Sequence, residues 1–466
     1  MNKSNSPQPT KSEKAFDWRF VTPLYIGSAL NPVNSSFIAT ALVPIAAAIN
    51  VPVGQTAVLV AALYMACIVA QPAAGKLSEA CGPRRVFLAG ILAVLVGGVL
   101  GGSGHDLATL IISRVLIGVG TSTGYPSAML LIRQRAESAG LTEPPGGVLG
   151  GLVIAGMATA VIGLPIGGFL VGAWGWQSVF FINVPLALVA LIMAVSWILR
   201  DPPSRSTKTL RTLAARIDLA GITVFSGVML SLLVFLMSLP DPDWVVLGVA
   251  VLLVLAFVWW EGQVSQPFID LRLLATNRPL ILTYVRFALA SLCVYTVMYG
   301  VTQWLQIDKN IPSADVGFII LPMSLISIVL AWPVSRLNLV RTPLIASAVA
   351  CLIGSVGVLL FTTATPLIWI VVVTAIFGIT MGMCTSANQT AFYTQVTADQ
   401  IGTASGLFRT FGYLGSITSS ALIAIFFNPN VSDQSLHSIA AVMVILSVVG
   451  LLIVIVDRKI MVLAKV

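Results

Sequence analysis

Charge is what this 466-residue sequence has least of: Asp, Glu, Lys and Arg together make up 9% of it. A soluble domain carries about 25% charged residues, so an ordinary water-covered surface is excluded. Histidine is nearly absent, with only His105 and His437 present, which argues against a histidine proton relay or a His-ligated metal in the apolar segments. The five cysteines, Cys67, Cys81, Cys293, Cys351 and Cys384, are an odd number without metal-ligand spacing and read as small packing residues. No Gly-rich loop ends in Gly-Lys-Ser or Gly-Lys-Thr, so ATP is not expected to act directly. Gly120-Thr121-Ser122-Thr123-Gly124 has nucleophile-elbow spacing, but that chemistry needs a strand-to-helix turn and a His base, and an apolar run supplies neither. The expectation is a protein that is not an enzyme, with no cofactor and no metal.

Apolar residues fill the space that charge leaves. They make up 57% of the chain, and the mean hydropathy is +0.98. A run of about 20 apolar residues is long enough to cross a bilayer as a helix. Such runs cover 20–49, 56–75, 86–103, 107–132, 147–172, 178–199 and 217–239, then 243–261, 279–302, 313–334, 342–362, 366–388, 402–427 and 436–457. The fold class expected is an all-α membrane protein with fourteen spans and a lipid bilayer as its surroundings.

The basic residues test that count, because Lys and Arg concentrate in cytoplasmic loops. With the N-terminus inside, 21 of the 25 Lys and Arg fall on the cytoplasmic side, Lys309 falls outside, and Arg114, Arg286 and Arg409 fall within spans. The exterior loops carry Asp106, Asp241, Asp243, Asp308, Asp315 and Asp433 instead. The net charge of +8 is therefore read as sidedness and not as a nucleic-acid footprint. Both termini are expected in the cytoplasm, and the first span is expected to remain as an anchor.

A long basic segment, 200–216, divides the spans. Weak echoes link the halves: Trp332-Pro333-Val334 before Ser335-Arg336-Leu337 repeats Pro72-Ala73-Ala74 before Gly75-Lys76-Leu77, and Gly118-Val119-Gly120 has a counterpart in Gly378 and Gly382. Repeats of this kind mark carriers in which two bundles rock around a midplane site. The layout expected is a tail at 1–19, a six-helix bundle at 20–199, a linker at 200–216, an inserted hairpin at 217–261, a connection at 262–278, a second bundle at 279–457 and a tail at 458–466.

Four motifs carry a resemblance to a known family. The stretch from Gly75 to Arg85, with Gly75, Leu77, Glu79, Gly82, Arg84 and Arg85, is a charged turn between spans 2 and 3. Span 4 holds Arg114 and then Gly118, and span 5 holds Gly163-Leu164-Pro165-Ile166-Gly167-Gly168. Trp174 to Pro185 leads into span 6. Together they resemble the major facilitator superfamily, and within it the fourteen-span drug:proton antiporter branch. That resemblance implies two six-helix bundles plus a hairpin, alternating access, a small-molecule substrate and protons as coupling ion. It also implies a monomer in the plasma membrane, on compact loops a bacterial inner membrane. One departure bears on mechanism: where the branch carries an Asp in span 1 this chain has Ser35, and no Asp or Glu falls mid-span.

The residues suggest roles beside the resemblance. Glu79 is expected to latch onto the start of span 13 near Asp399 to Gly402. The cluster Asn31-Pro32-Val33-Asn34-Ser35-Ser36 interrupts an apolar crossing, and freed backbone groups must turn toward the bundle interior. Arg114, Arg286 and Arg409 sit within spans, where an arginine costs about 2.5 to 3.5 kcal/mol; three such cations without a buried anion would favour an acidic or zwitterionic cargo. Tyr125, Tyr295, Tyr299, Gln303, Trp304, Asn388 and Gln389 are possible substrate contacts, although taken singly each is better explained as packing. Gly163, Pro165, Gly167 and Gly168 form a groove for another helix. The leading reading is export of amphipathic molecules or drugs by proton antiport. The alternatives are a facilitator or exchanger of an anionic metabolite or lipid precursor and, in a different class, a non-transporting sensor or assembly partner.

Overall fold

The structure, a computed structural model, describes residues 16–141, 146–201, 218–238, 241–264, 267–269, 271–337, 339–396, 401–428 and 430–457. Long helices follow the expected spans in order. They are α1 (Trp18–Ile49), α2 (Val58–Cys81), α3 (Pro83–Gly102), α4 (Leu107–Ser138), α5 (Gly146–Trp174), α6 (Asn183–Trp197), α7 (Leu219–Met237) and α8 (Trp244–Glu261). After them come α9 (Arg278–Thr296), α10 (Ser313–Arg336), α11 (Arg341–Leu359), α12 (Leu367–Tyr393), α13 (Ile401–Phe426) and α14 (Asp433–Val456). A π turn, Val297–Val301, and a further turn, Thr302–Ile307, extend α9. Among the described residues, twelve helical segments are long and apolar enough to cross a membrane; α5 and α13, at 29 and 26 residues, have comparable length.

Helix is the form these runs take because a bilayer offers no water to the backbone, so each N–H and C=O must be satisfied within the segment. The ends are marked by residues that satisfy orphan groups. Asp106 accepts from the Thr109 N–H at 2.9 Å to start α4, Ser432 and Ser435 form a capping box on α14, and Asn50 ends α1 in the left-handed region. The junction between α2 and α3 is tighter than the expected loop. Helix α2 continues to Cys81, and the whole corner is Gly82 at φ 103°, followed by Pro83 as the first residue of α3. Only glycine adopts that φ without strain, and proline suits a first helical position, whose N–H would be unpaired anyway.

Helices α1 to α6 pack on one another, with α3 against α4, α2 against α4, α1 against α5 and α3 against α6. Helices α9 to α14 do the same through α10 with α12, α9 with α13, and α11 with α12 and α14. The hairpin α7–α8 leans on α2 and leaves Val245, Leu252 and Trp259 exposed, the apolar surface expected of a lipid-facing element.

Two seams join the bundles, α5 with α10 and α2 with α13. They close tightly at the end of the molecule away from the basic loops. There a β-carbon added at Gly168 would lie 2.5 Å from the Ser313 carbonyl oxygen, one at Gly317 would lie 2.7 Å from that of Leu164, and one at Gly54 would lie 3.1 Å from that of Ala424. Near the basic loops, by contrast, a β-carbon at Gly75 would meet nothing within 4 Å.

Candidate functional site

The polar interruption of α1 faces inward. Asn31 donates from Nδ2 to Thr121 Oγ1 at 3.0 Å and lies 3.1 Å from Cys67 Sγ, which ties α1 to α4 and α2. Asn34 donates to Asn183 Oδ1 at 2.7 Å and so fixes α6 as well. The Ser35 hydroxyl is spent on the Asn31 carbonyl, one turn back, at 3.0 Å. Asn31 keeps partial exposure while Asn34, Ser35 and Ser36 are buried.

Arg114 lies beneath this cluster with 2% of its surface exposed. Nε donates to the Leu59 carbonyl at 3.1 Å and Nη1 to the Asn34 carbonyl at 3.3 Å, while Nη2 is buried without a partner. No carboxylate pairs with it among the described residues. A buried guanidinium held by carbonyl dipoles alone leaves the seam positive.

Above Arg114, tyrosines from both bundles meet. Tyr64 of α2 packs against Tyr295 and Tyr413, with ring centroids 5.4 and 5.2 Å apart, and Tyr295 stacks on Tyr299 at 5.9 Å. The Tyr64 and Tyr299 hydroxyls are 3.3 Å apart, and Tyr299 donates to the Ser35 carbonyl at 3.0 Å. Tyr413 donates to Gln71 Oε1 at 3.0 Å. Tyr299 falls inside the π turn of α9, the kind of local register change that often accompanies functional sites. Closer to the basic loops, Arg409 of α13 places its guanidinium 4.3 Å from the Tyr125 ring of α4, a cation–π contact between bundles. Tyr299 is fully buried and Arg409 exposed, so solvent access along the seam diminishes away from the basic end.

Three members of this cluster, Tyr64, Gln71 and Tyr413, were not singled out by sequence. Spacing held a signal. Tyr64 and Gln71 are seven residues apart, and Arg409 and Tyr413 four, so each pair shares a helix face. Cavities of about 40 Å³ between α2, α4, α7 and α13 and about 20 Å³ between α9, α11, α12 and α14 lie elsewhere. Both are far below the roughly 300–1,000 Å³ of a small-molecule site. At Tyr64 and Tyr299, both buried, the seam is closed in this conformation.

Other expected residues lie apart from it. Arg286 is buried within the second bundle, where Nε donates to Asn388 Oδ1 at 2.8 Å and Nη1 pairs with Asp457 at 3.4 Å. The expectation of three buried cations without an anion is therefore corrected: Arg286 has a carboxylate 171 residues away in sequence, and Arg409 is exposed. Trp304 is buried at the opposite end, donating from Nε1 to Asp308 at 3.1 Å and Asp433 at 3.0 Å. Burial and the neighbouring Asp433 carboxyl push Asp308 above the usual carboxylate range. Gln303 is buried with both amide atoms unpartnered, and Gln389 is exposed.

The α5 groove has two faces. A β-carbon at Gly163 would lie 2.5 Å from Ser36 Cβ and one at Gly167 2.9 Å from Phe37 Cα, both within the first bundle, whereas Gly168 faces α10 of the second. Pro165 Cα in turn lies 3.1 Å from where a β-carbon of Gly317 would be.

At the Gly75 to Arg85 corner, Leu77 is half-buried and Glu79 exposed. The partner expected for Glu79, near Asp399, lies at residues outside those described, apart from the backbone of α13. The corner's own anchor is Asp201, whose carboxylate oxygens accept from the Arg84 and Arg85 N–H groups at 3.1 and 3.0 Å. The Arg84 side chain donates to the Val195 carbonyl at 2.9 Å. A carboxylate at the start of α3 is favoured by the helix dipole.

Comparison with known proteins agrees with this architecture. The family model described as Major Facilitator Superfamily matches residues 24–420. The chain is 32% identical over 432 residues, 91% of its length and 94% of the relative's, to an uncharacterized MFS-type transporter, YwoD, of Bacillus subtilis. It is 28% identical to the tetracenomycin C resistance and export protein of Streptomyces glaucescens, over 72% of this chain and 61% of that protein. It is 24% identical to the riboflavin transporter RibZ of Clostridioides difficile, over 88% of each.

Proposed function

The chain belongs to the major facilitator superfamily, and on that premise we propose that it exports planar, amphipathic, neutral or anionic small molecules by alternating access, in exchange for protons. The observation that carries the cargo class is the seam: a buried arginine, with no carboxylate partner among the described residues, beneath four tyrosine rings. Aromatic faces stack on planar solutes, and an uncompensated cation attracts negative charge and opposes a lipophilic cation. A relative named for riboflavin, a planar aromatic solute, and one named for export of tetracenomycin C support the class and the direction.

In this reading the basic end is cytoplasmic, and the closed seam at Gly168 and Gly317 is the exterior gate. Proton drive fits the antiporter-like glycine run of α5, and the carboxyls available to it lie outside the tyrosine seam, at Asp218, Glu261, Asp308, Asp433 and Asp457. The separate reading of an anion exchanger is favoured by the same Arg114.

Purified protein in proteoliposomes with an imposed pH gradient tests both, using ethidium as the cationic dye and fluorescein as the organic anion. Gradient-driven fluorescein movement is expected. Ethidium movement alone would overturn the cargo class, pH-independent fluorescein exchange would overturn the coupling, and no flux of either would favour a sensor.

A further inference from the structure

The base of the α7–α8 hairpin holds two buried carboxyls, which the transport reading names as available without giving them a part. Asp218 precedes α7 with φ 54° and Glu261 ends α8; they are 3% and 2% exposed. Asp218 Oδ1 accepts from the Gly221 N–H and Trp260 Nε1, each at 3.0 Å, and Oδ2 accepts from the Phe268 N–H at 3.0 Å. Glu261 Oε2 accepts from the Ile269 N–H at 3.4 Å. The second Glu261 oxygen, Oε1, is buried with no partner. It converges with Asp218 Oδ2 on the space where a β-carbon of Gly221 would be, and the two carboxyls lie within hydrogen-bonding reach of each other.

We propose that Asp218 and Glu261 form a proton-binding site, with one proton on Glu261 Oε1 donated to Asp218 Oδ2. Two carboxylates this close and this dry cannot both keep a charge. The helix ends decide where the proton sits: Asp218 stands at the positive N-terminus of α7, which favours a negative charge, whereas Glu261 stands at the negative C-terminus of α8, which disfavours its anion. The proton also makes the orphaned Oε1 a donor and so gives it the partner that it lacks. Among the described residues, the other charged groups facing the pair are the Lys76 ammonium from α2, attracted to both carboxyls, with Glu79 acting on Lys76 in turn. Arg272 is close by but directs its guanidinium to the Gly262 carbonyl at 2.7 Å.

The place of the site gives the proton a consequence. Residues 267–269 begin the connection from hairpin to second bundle, and three successive residues are held there: the Pro267 carbonyl by Lys76 Nζ at 3.1 Å, the Phe268 N–H by Asp218 and the Ile269 N–H by Glu261. Losing the proton to solvent at the basic end puts a second negative charge beside Asp218. Glu261 is then driven toward water, and the Ile269 amide is released. The clamp is closed when protonated and loosened when not, so the joint across which the bundles move is pH-sensitive. That this drives or gates transport rests on the proton-coupled reading above; occupancy of the site does not.

The test uses full-length protein in nanodiscs and reads the proton directly. Infrared difference spectra across a pH jump are expected to contain a protonated-carboxyl C=O band that Glu261→Gln removes. Amide hydrogen exchange, corrected for its intrinsic pH dependence, is expected to quicken about tenfold in the 262–278 region as the proton leaves, and to become pH-independent in Glu261→Gln, whose amide mimics the protonated acid. Lys76→Gln is expected to move the infrared midpoint up by about one pH unit, because removing a nearby cation favours the neutral acid. If Glu261→Gln does not fold, Asp218→Asn is used, and the midpoint should fall, since the ionised neighbour that holds the proton is gone. An unchanged C=O band in Glu261→Gln, or an unmoved midpoint in Asp218→Asn, would overturn the site. A band lost as expected in protein that moves neither fluorescein nor ethidium in a pH gradient would keep the site and reject the transport reading instead.

Discussion

Adjacent glycines on α5 make the gating seam testable with two methyl groups. Gly167 faces α1 inside its own bundle, and an added β-carbon would lie 2.9 Å from Phe37 Cα and 3.1 Å from the Phe37 carbonyl oxygen. Gly168 faces α10 across the bundles, and its β-carbon would lie 2.5 Å from the Ser313 carbonyl oxygen and 3.2 Å from Ala314 Cα. All four contacts are backbone, so no flexible side chain can move aside. Overpacking of this kind costs about 1–3 kcal/mol. For Gly167→Ala every conformer keeps the clash, so the cost appears as lost thermal stability. For Gly168→Ala the clash exists only while the seam is closed, so the same energy shifts the closed-to-open ratio by about 5- to 150-fold. Spin labels at the exposed positions Trp174 and Leu360, one in each bundle, report the seam through double electron–electron resonance. Gly168→Ala should add a longer distance with a nearly unchanged melting temperature, and Gly167→Ala should lower that temperature without new distances. A Gly168→Ala variant with the parent distance distribution and a depressed melting temperature would show that α5 and α10 do not part, and the rocking argument would fail.

Three further outcomes follow from single contacts. Breaking the buried Arg286–Asp457 pair from one side should cost about 3–5 kcal/mol, whereas Arg286→Met combined with Asp457→Leu should recover most of it; additive losses in thermal unfolding would refute the pairing. Arg114→Lys keeps the charge but cannot span the Leu59 and Asn34 carbonyls together, because a lysine lacks the planar fork. Fluorescein transport should fall about tenfold at equal protein level, and unchanged transport would remove Arg114 from the site. Asp308, pushed up by burial and then by Asp433, binds more protons folded than unfolded. Its contribution to stability is therefore present below the ordinary carboxylate pKa of about 4 and is lost as pH rises through the higher folded value. Asp308→Asn should flatten the fall of the melting temperature with pH between the ordinary carboxylate pKa and the raised folded value, and parallel curves for parent and variant would contradict the assignment.

The long apolar runs made the order and number of helices legible, since hydropathy over 20 residues depends little on tertiary context. What could not be read were pairings between distant residues. Asp457 looks like an ordinary charge at the end of a span until α9 and α14 pack and bury it against Arg286. Asp218 and Glu261 likewise resemble interfacial residues, and only the hairpin brings them together. Tyr64 and Tyr413 sit in apolar runs where an aromatic is as good for packing as for contact, so chemistry alone does not mark them. The corner after α2 was overestimated because charge suggests a loop, while Lys76, Ser78 and Glu79 are all compatible with helix.

The separation between the positive seam and the peripheral acids constrains any proton-driven cycle in this chain. If cargo and proton competed for one carboxylate, binding of each would weaken the other by direct occupancy. Among the described residues Arg114 and the tyrosines have no acid between them, so under the proposed function a proton can influence cargo only by shifting the balance between conformers. Such coupling is reciprocal in binding free energy: whatever factor the proton imposes on cargo affinity, cargo must impose on proton affinity. It also vanishes when the conformers cannot interchange. Locking the seam closed with a disulfide between cysteines placed at Gly172 and Ala314, where a β-carbon of Gly172 would lie 3.4 Å from Ala314 Cβ and so near disulfide spacing, should therefore make the affinity for fluorescein independent of pH, while the unlocked parent retains the dependence. A pH dependence surviving the lock would put a titrating group within the cargo site itself, and the division between the two sites would have to be abandoned.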